Sequence, residues 1–376
     1  MADAPTLFLV DGSNQMYRAY HAIRGLTGPD GKSTNAVYGF VTMLRKLLAD
    51  HQPAYIAASF DLPGETFRDQ LAADYKANRA PMPGDLAEQI PLVHEACEAM
   101  GVPILTAPGF EADDVIGTLA RQAAAAGLQV AIVTGDKDFF QLVGGPIRVY
   151  NPKDDGAWFD ADGVVEKFGV RPEQVIDVLA LMGDATDNIK GVPGIGEKGA
   201  RELIAAHGSL DALLAHASEV PQKRYREALT AHADDARHSR EMVTIRTDVP
   251  VTLDLDALRY RGASRDRCYT LFSSLGFRTL VTEFAPTADT VARDYAALTT
   301  IDEVRALAEE IRASGRVALH VLDDGAGLMR ASIVGLAFAT APRRARYVPL
   351  GRASLVSGPG VDREDAFAAL RPVLED

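Results

Sequence analysis

Nine acidic side chains fall at places in this chain where a fold could bring them together. Three apolar runs end in aspartate: 6–10 (T-L-F-L-V) at Asp11, 55–60 (Y-I-A-A-S-F) at Asp61, and 129–134 (Q-V-A-I-V-T), one glycine later, at Asp136. Asp138 follows at a spacing of two, which in extended backbone points to the same face. Glu111, Asp113 and Asp114 open a helical stretch after the turn P-G-F. Asp184 and Asp187 lie in the polar loop M-G-D-A-T-D-N. Taken singly, each has an ordinary reading. A strand-end aspartate caps a turn or helix, Glu111 favours a helix dipole, and 184–187 is a solvated loop. The recurrence of one placement three times, beside D-x-D and E-x-D-D, favours a shared site. Two carboxylates about 4 Å apart repel by roughly 4 kcal/mol at an effective dielectric near 20. Such a group must protonate in part or hold cations. With oxygen donors and no His or Cys among them, Mg²⁺ or Mn²⁺ fits better than zinc. A pair of such ions can activate water and stabilise the leaving oxygen of a phosphodiester.

The elements that must position these residues alternate. The three apolar runs read as strands, and 36–48, 86–100 and 111–126 read as helices. Strand–helix alternation implies an α/β fold, a mostly parallel sheet with helices on both faces. Ligands bind beyond the carboxyl ends of such strands, which is where Asp11, Asp61 and Asp136 fall. Residues 172–284 read as mostly helical, 285–300 as a linker, and 301–376 as the beginning of another α/β unit.

Composition bounds the rest. The 376 residues are 47% hydrophobic and carry a net charge of −13, an unfavourable sign for binding nucleic acid unless cations neutralise the acidic cluster. No apolar run reaches the ~18 residues of a membrane span. The N-terminus has no signal-peptide pattern. Two cysteines, Cys97 and Cys268, make neither a disulfide framework nor a zinc site. These features fit a cytoplasmic protein without a membrane partner.

Two segments suggest what the site acts on. Residues 66–81 (T-F-R-D-Q-L-A-A-D-Y-K-A-N-R-A-P) set Arg68, Lys76 and Arg79 around Tyr75. That mix suits phosphates and an unstacked base, although an amphipathic surface helix explains it as well. Gly191, Val192, Gly194, Ile195, Gly196 and Lys198 belong to G-V-P-G-I-G-E-K, a glycine-rich turn between helices that lets backbone amides approach a phosphate. Lys223, Arg224, Arg226, Arg237 and Arg240 add a basic stretch, or a solvated helix face.

At this point the sequence resembles a known family. L-V-D-G-S-N at 9–14, Y-R-A-Y-H-A at 17–22, Y-K-A-N-R-A-P at 75–81, E-A-D-D-V-I at 111–116, T-G-D-K-D at 134–138 and L-M-G-D-A-T-D-N-I-K-G-V-P-G-I-G-E-K at 181–198 match, in order, the 5′ nuclease domains of bacterial DNA polymerases I, within the flap endonuclease family. The resemblance covers residues 6 to about 284. It implies a PIN-like catalytic core over 1–171 with a helical arch at about 62–90, and a helical DNA-binding region over 172–284 containing a helix–three-turn–helix.

It also implies roles. One metal would be held by Asp11, Asp61, Glu111 and Asp113, and a second by Asp113, Asp136, Asp138 and Asp187, with Asp114 and Asp184 in the outer shell. Lys76 and Arg79 would stabilise charge on the scissile phosphate, Tyr75 would stack on a base, and Arg18 would contact phosphate. Arg68 and the turn at 191–198 would bind DNA, the turn with a potassium ion.

The implied reaction is hydrolysis near a single-strand/duplex junction of a 5′ flap, nick or RNA–DNA primer, by a monomer, joined in cis to a polymerase domain if the chain is a fragment. Residues 301–376 resemble the start of the family's 3′–5′ exonuclease fold, but His320 and Leu322 stand where its D-x-E carboxylates belong. Two rivals are a DNA-binding scaffold without catalysis and an acidic-site ribonuclease or Mg²⁺ phosphohydrolase. The full set of ligands disfavours the first, and the glycine-rich turn the second.

Overall fold

Strand β1 (Thr6–Asp11) is the pivot of the fold. Four consecutive apolar residues, Leu7 to Val10, are buried on both faces, as a central parallel strand requires. It pairs in parallel with β2 (Tyr55–Ser59) on one side and β4 (Gln129–Val133) on the other. β3 (Ile104–Leu105) extends the sheet beyond β2. β5 (Ile147–Asn151) and the antiparallel β6 (Ala157–Phe159) extend it beyond β4, giving the order β3-β2-β1-β4-β5-β6. The register aligns Asp11 with Ser59, and Val10 with Val133. The carboxyl ends of the three central strands are therefore level, and strand order reverses across β1. A crevice at such a reversal is the usual ligand site of an open α/β sheet.

The computed structural model describes residues 4–153, 156–286, 294–324, 331–351 and 360–375. It divides into two compact units, Met1–Ala285 and Pro286–Asp376.

Helices cover both faces of the first sheet. Against one face lie α1 (Gly12–Ala22) and α2 (Asn35–His51), with Phe40, Val41, Leu44 and Leu47 buried in the same cluster as Phe8 and Val10. The region expected to form a helical arch differs from expectation. It holds only α3 (Phe67–Leu71) and α4 (Gly84–Ala87), with residues 72–83 outside any helix and turns over 73–78. Pro81 and Pro83 lack the amide a helix needs, and Lys76 takes a left-handed φ of 55°. The helix expected over 86–100 begins at α5 (Ile90–Ala99), with Pro91 in its first turn, where the missing amide costs nothing. On the opposite face α6 (Ala112–Ala125) packs Val115, Ile116 and Leu119 against Leu7, Leu9 and Ile132.

After α7 (Ala161–Phe168) the chain is helical. α8 (Val175–Met182) and α9 (Glu197–His207) flank the glycine-rich turn. Gly183, Gly191 and Gly194 have φ of 69°, 61° and 86°. A Cβ on Gly191 would overlap the backbone of Gly183, so two chain segments meet there with no room for a side chain.

In the second unit four strands pair in the order β7-β10-β9-β8. They are β7 (Asp294–Ala297), β8 (Ala318–Asp323), β9 (Ile333–Ala341) and β10 (Arg344–Pro349). β7 corrects the linker expected over 285–300. Its backbone pairs in parallel with Arg344 to Tyr347, a partner segment distant in sequence that no local pattern reports. Residues 287–293 of the expected linker lie outside the described residues. His320 is exposed on the edge strand β8. Among the described residues, no helix is long and apolar enough to cross a membrane.

Candidate metal centre

Eight of the nine expected carboxylates line one cavity of about 860 Å³ at the carboxyl ends of β1, β2 and β4: Asp11, Asp61, Glu111, Asp113, Asp136, Asp138, Asp184 and Asp187. Local structure aims them. Asp11 caps α1, its Oδ1 accepting from Asn14 N at 3.0 Å, while its Oδ2 accepts from the Thr134 hydroxyl at 2.8 Å. Asp61 Oδ1 accepts from Ala112 N at 2.8 Å, tying the end of β2 to the start of α6. Asp136 Oδ1 accepts from Asp138 N at 2.9 Å. The capping roles that each aspartate could have played alone are therefore partly real. They fix one oxygen of the group and orient the other.

The ninth is set apart from the cavity. Asp114 is fully buried and does not line the cavity. Its oxygens accept from Arg68 at 2.7 and 3.0 Å, from Arg246 N at 2.8 Å and from Glu111 N at 3.2 Å. Arg68 beside it is a correction. Expected on DNA, it is 3% exposed. It binds Asp114, Glu111 Oε2 at 2.8 Å, and the carbonyls of Met242 and Thr244 at 2.9 Å. A guanidinium held by two carboxylates and two carbonyls has no donor facing solvent to offer a phosphate. Its role is to orient Glu111, and through it Asp114 supports the site.

Burial and mutual repulsion set the electrostatics. Burial first, then its hydrogen-bonding and charged neighbours, leave the Asp11 carboxyl raised to about 7. Burial and then Asp11, Asp136, Asp61 and Glu111 hold Asp113 well above the usual carboxylate range. Burial raises Asp136, and burial then Asp136 and Asp184 raise Asp138. Asp138 Oδ1 is buried with no hydrogen-bond partner among the described residues. Cations beside such a set favour its ionised form. Two other carboxylates of the cavity, Glu111 and Asp187, pair with the protein's own cations. Lys76 Nζ is paired with Glu111 and lies 3.9 Å from Asp187 Oδ2, and Arg79 is paired with Asp187. As the side chains stand, no three His, Cys, Asp or Glu among the described residues are gathered closely enough to hold a metal ion. The donor set fits one nonetheless. It is all oxygen, it has an orphaned buried oxygen at Asp138, and no His or Cys lines the cavity.

The segment carrying Lys76 is latched to the loop carrying Asp187. Lys76 N donates to Asp187 O at 3.0 Å, Asn78 Nδ2 to Ala185 O at 2.6 Å, and Asn188 Nδ2 to Asp74 O at 2.6 Å. Tyr75, expected to stack on a base, is 7% exposed, and its hydroxyl lies 3.1 Å from Glu111 Oε2 and 3.2 Å from Asp187 Oδ2. In this conformation it braces two carboxylates and presents no face for stacking. Arg18 donates to Gln15 and Asn151 at 3.3 and 3.4 Å, beside Gly135. Ser13, Asn14, Tyr17, Thr134 and Lys137 were missing from the expected site; all but Thr134 line the cavity. Thr134 bridges Asp11 Oδ2 and Asp136 N. Its signal was present in T-G-D-K-D, where a hydroxyl directly precedes the acidic turn.

In the glycine-rich turn, Val192 and Ile195 are corrected from DNA contacts to core residues, 2% and 3% exposed. At these two positions only backbone can meet a ligand. Gly196 has open space at its Cβ position, and the Lys198 side chain is exposed. Arg224 lies against Gly194. Arg226 donates to Val220 O at 2.6 Å, and Arg240 pairs with Asp211 at 2.8 Å.

The family description "5′-3′ exonuclease, N-terminal resolvase-like domain" matches residues 6–169, and "5′-3′ exonuclease, C-terminal SAM fold" matches 170–266. The chain belongs to the 5′–3′ exonuclease family. Relatives in that family include DNA polymerase I of Pseudomonas aeruginosa, 40% identical over 100% of this chain and 43% of that protein. DNA polymerase I of Chloroflexus aurantiacus is 46% identical over 73% of this chain and 30% of that protein. The chain thus spans less than half the length of these relatives. The T5 5′-exonuclease, in a structure with divalent metal ions (zinc) bound, shares the fold at a TM-score of 0.55 and 21% identity, over 74% of this chain and 96% of that one.

Proposed function

We propose that this chain is a divalent-metal-dependent 5′ nuclease that hydrolyses phosphodiesters near single-strand/duplex junctions, leaving a 5′-phosphate and a 3′-hydroxyl. One observation carries the reading: eight carboxylates converge on a single cavity at the switch point of the sheet, with Lys76 and Arg79 on the same wall. Asp11, Asp61, Glu111 and Asp113 would hold one Mg²⁺ or Mn²⁺. Asp113, Asp136, Asp138 and Asp187 would hold the other, with Asp184 behind. When bound, the ions supply an activated water and stabilise charge on the leaving oxygen.

The chain's own residues do the rest. Arg68 and Tyr75 fix Glu111. Thr134 fixes Asp11. Lys76 and Arg79, once exchanged off the carboxylates, neutralise the phosphate oxygens. The backbone at 191–196 and Lys198 hold the duplex, with a potassium ion at the turn.

DNA with a 5′ flap, nick or RNA–DNA junction is the substrate. A polymerase domain in cis is the partner, the protein acts as a monomer, and its place is the cytoplasmic nucleoid. Residues 301–376 do not proofread, because His320 and Leu322 supply no carboxylate pair. The reading is tested with a 5′-labelled flap duplex in Mg²⁺ and in EDTA. Metal-dependent release of a fragment, leaving a 5′-phosphate on the trimmed strand, is expected. Tight binding without cutting would make the protein a scaffold.

A further inference from the structure

The basic residues between 223 and 240 have no part in the carboxylate site, and they are not equivalent. Four have partners within the protein. Lys223 lies 3.7 Å from Glu227, Arg237 lies 2.8 Å from Asp234, and Arg240 lies 2.8 Å from Asp211. Arg226 donates to Val220 O at 2.6 Å. Arg224 is exposed and has no ion-pair or hydrogen-bond partner among the described residues.

Its guanidinium is held in place all the same. It lies over the backbone of Gly194, with Nη2 and Nε 2.7 and 2.8 Å from where a Cβ would stand. Gly194 has a φ of 86°, so both its backbone and the seat of the arginine require glycine there. The next residues of the helix Lys223–Ala231 build that seat. Tyr225 packs on the first turn of α9, its hydroxyl 2.7 Å from the Cβ position of Gly199. Leu229 is fully buried, and the bond from Arg226 to Val220 O fixes the entry of the helix. Arg224 is thus carried to the glycine-rich turn by its neighbours, and no acidic side chain answers its charge.

We infer that Arg224 is a phosphate contact of the duplex, delivered to the turn from a helix outside the motif at 191–198. The inference rests on the nuclease reading, in which the backbone at 191–196 and Lys198 hold the duplex. A strand brought to that backbone supplies the acceptor that Arg224 lacks. The planar guanidinium can take two phosphate oxygens at once. Such a contact sets register and carries no base preference, as recognition of a junction by shape requires. The turn then has cations from two helices, Lys198 of α9 and Arg224, while the partnered Arg226, Arg237 and Arg240 serve the fold.

The test is duplex binding in Ca²⁺, followed by fluorescence anisotropy across a range of KCl, for wild type and Arg224→Gln. Loss of one phosphate contact is expected to reduce the slope of log K against log salt by about 0.9. Affinity is expected to fall severalfold, alike for duplexes of different sequence, with the thermal midpoint unchanged. Arg237→Gln removes the same charge from the same stretch and is expected to keep the wild-type slope. An unchanged slope in Arg224→Gln, or an equal fall in both variants, would overturn the contact. So would a lowered thermal midpoint in Arg224→Gln, which would make the arginine a brace of the turn.

Cleavage of a 5′-flap duplex in Mg²⁺ gives the second readout. Arg224→Gln is expected to raise KM severalfold and keep the wild-type rate at saturating substrate; a slower saturated rate with unchanged KM would count against it. A slope that depends on Arg224 in a protein that does not cut would sink the nuclease reading and keep the contact. Cutting by wild type, with a slope indifferent to Arg224, would do the reverse.

Discussion

Arg68 and Lys76 lie eight residues apart in one basic segment, yet they have opposite fates. Arg68 is enclosed with Asp114 and Glu111. Removing one partner of a buried ion pair strands the other, at about 3–5 kcal/mol. Arg68→Ala is therefore expected to lower unfolding stability by that amount in urea titrations. A DNA contact would instead have left stability unchanged and weakened binding. Lys76 is partly exposed and pairs with carboxylates that metal ions would otherwise neutralise. Lys76→Ala is expected to slow single-turnover cleavage about 10²–10³-fold, with duplex affinity and stability little changed. A pure affinity loss would reduce it to a phosphate contact. The two fates were not legible in the sequence. Arg68 is decided by carbonyls 174 and 176 residues away, and no local pattern reports that. The convergence of the carboxylates was legible, because placement at a strand end is a local property that the parallel register converts into proximity.

At the scale of elements, two connections set the site: the latch between 72–80 and 184–189, and the crossing of Gly183 with Gly191. The latch holds Lys76 and Arg79 on the carboxylates by backbone and amide hydrogen bonds. Divalent ions would compete for those same carboxylates. Adding Ca²⁺ is expected to speed tryptic cleavage after Arg79; unchanged cleavage would show that the latch and metal binding are independent. The glycine-rich turn separates its two jobs by position. Gly191→Ala is expected to destabilise the protein by about 1–3 kcal/mol, since its Cβ would overlap the Gly183 backbone. Gly196 has extended backbone and open space. Gly196→Ala is expected to leave thermal stability nearly unchanged and weaken duplex binding in a fluorescence titration. The sequence made both glycines equivalent members of one motif; only the crossing chain tells them apart. The expected arch failed for a similar reason. Helical periodicity in 66–81 competes with two prolines and with loop contacts more than 100 residues distant.

For the molecule as a whole, part of the charge of −13 is gathered where it does not oppose a nucleic-acid partner. Eight of the acidic groups line one cavity that cations would neutralise. The exposed Lys198 and the open space at Gly196 lie in the turn that follows α8. Duplex affinity is expected to fall steeply as KCl rises from 50 to 200 mM, by counterion release; a flat dependence would argue against phosphate tracking.

The central claim is that the carboxylate cavity holds metal ions that cut the nucleic-acid backbone. It is tested most directly by single-turnover cleavage of a 5′-flap duplex in Mg²⁺ by wild type and Asp136→Asn. Removing one ligand charge is expected to cut the rate by more than about a hundredfold while flap binding persists. Equal rates in the two proteins would contradict the metal assignment.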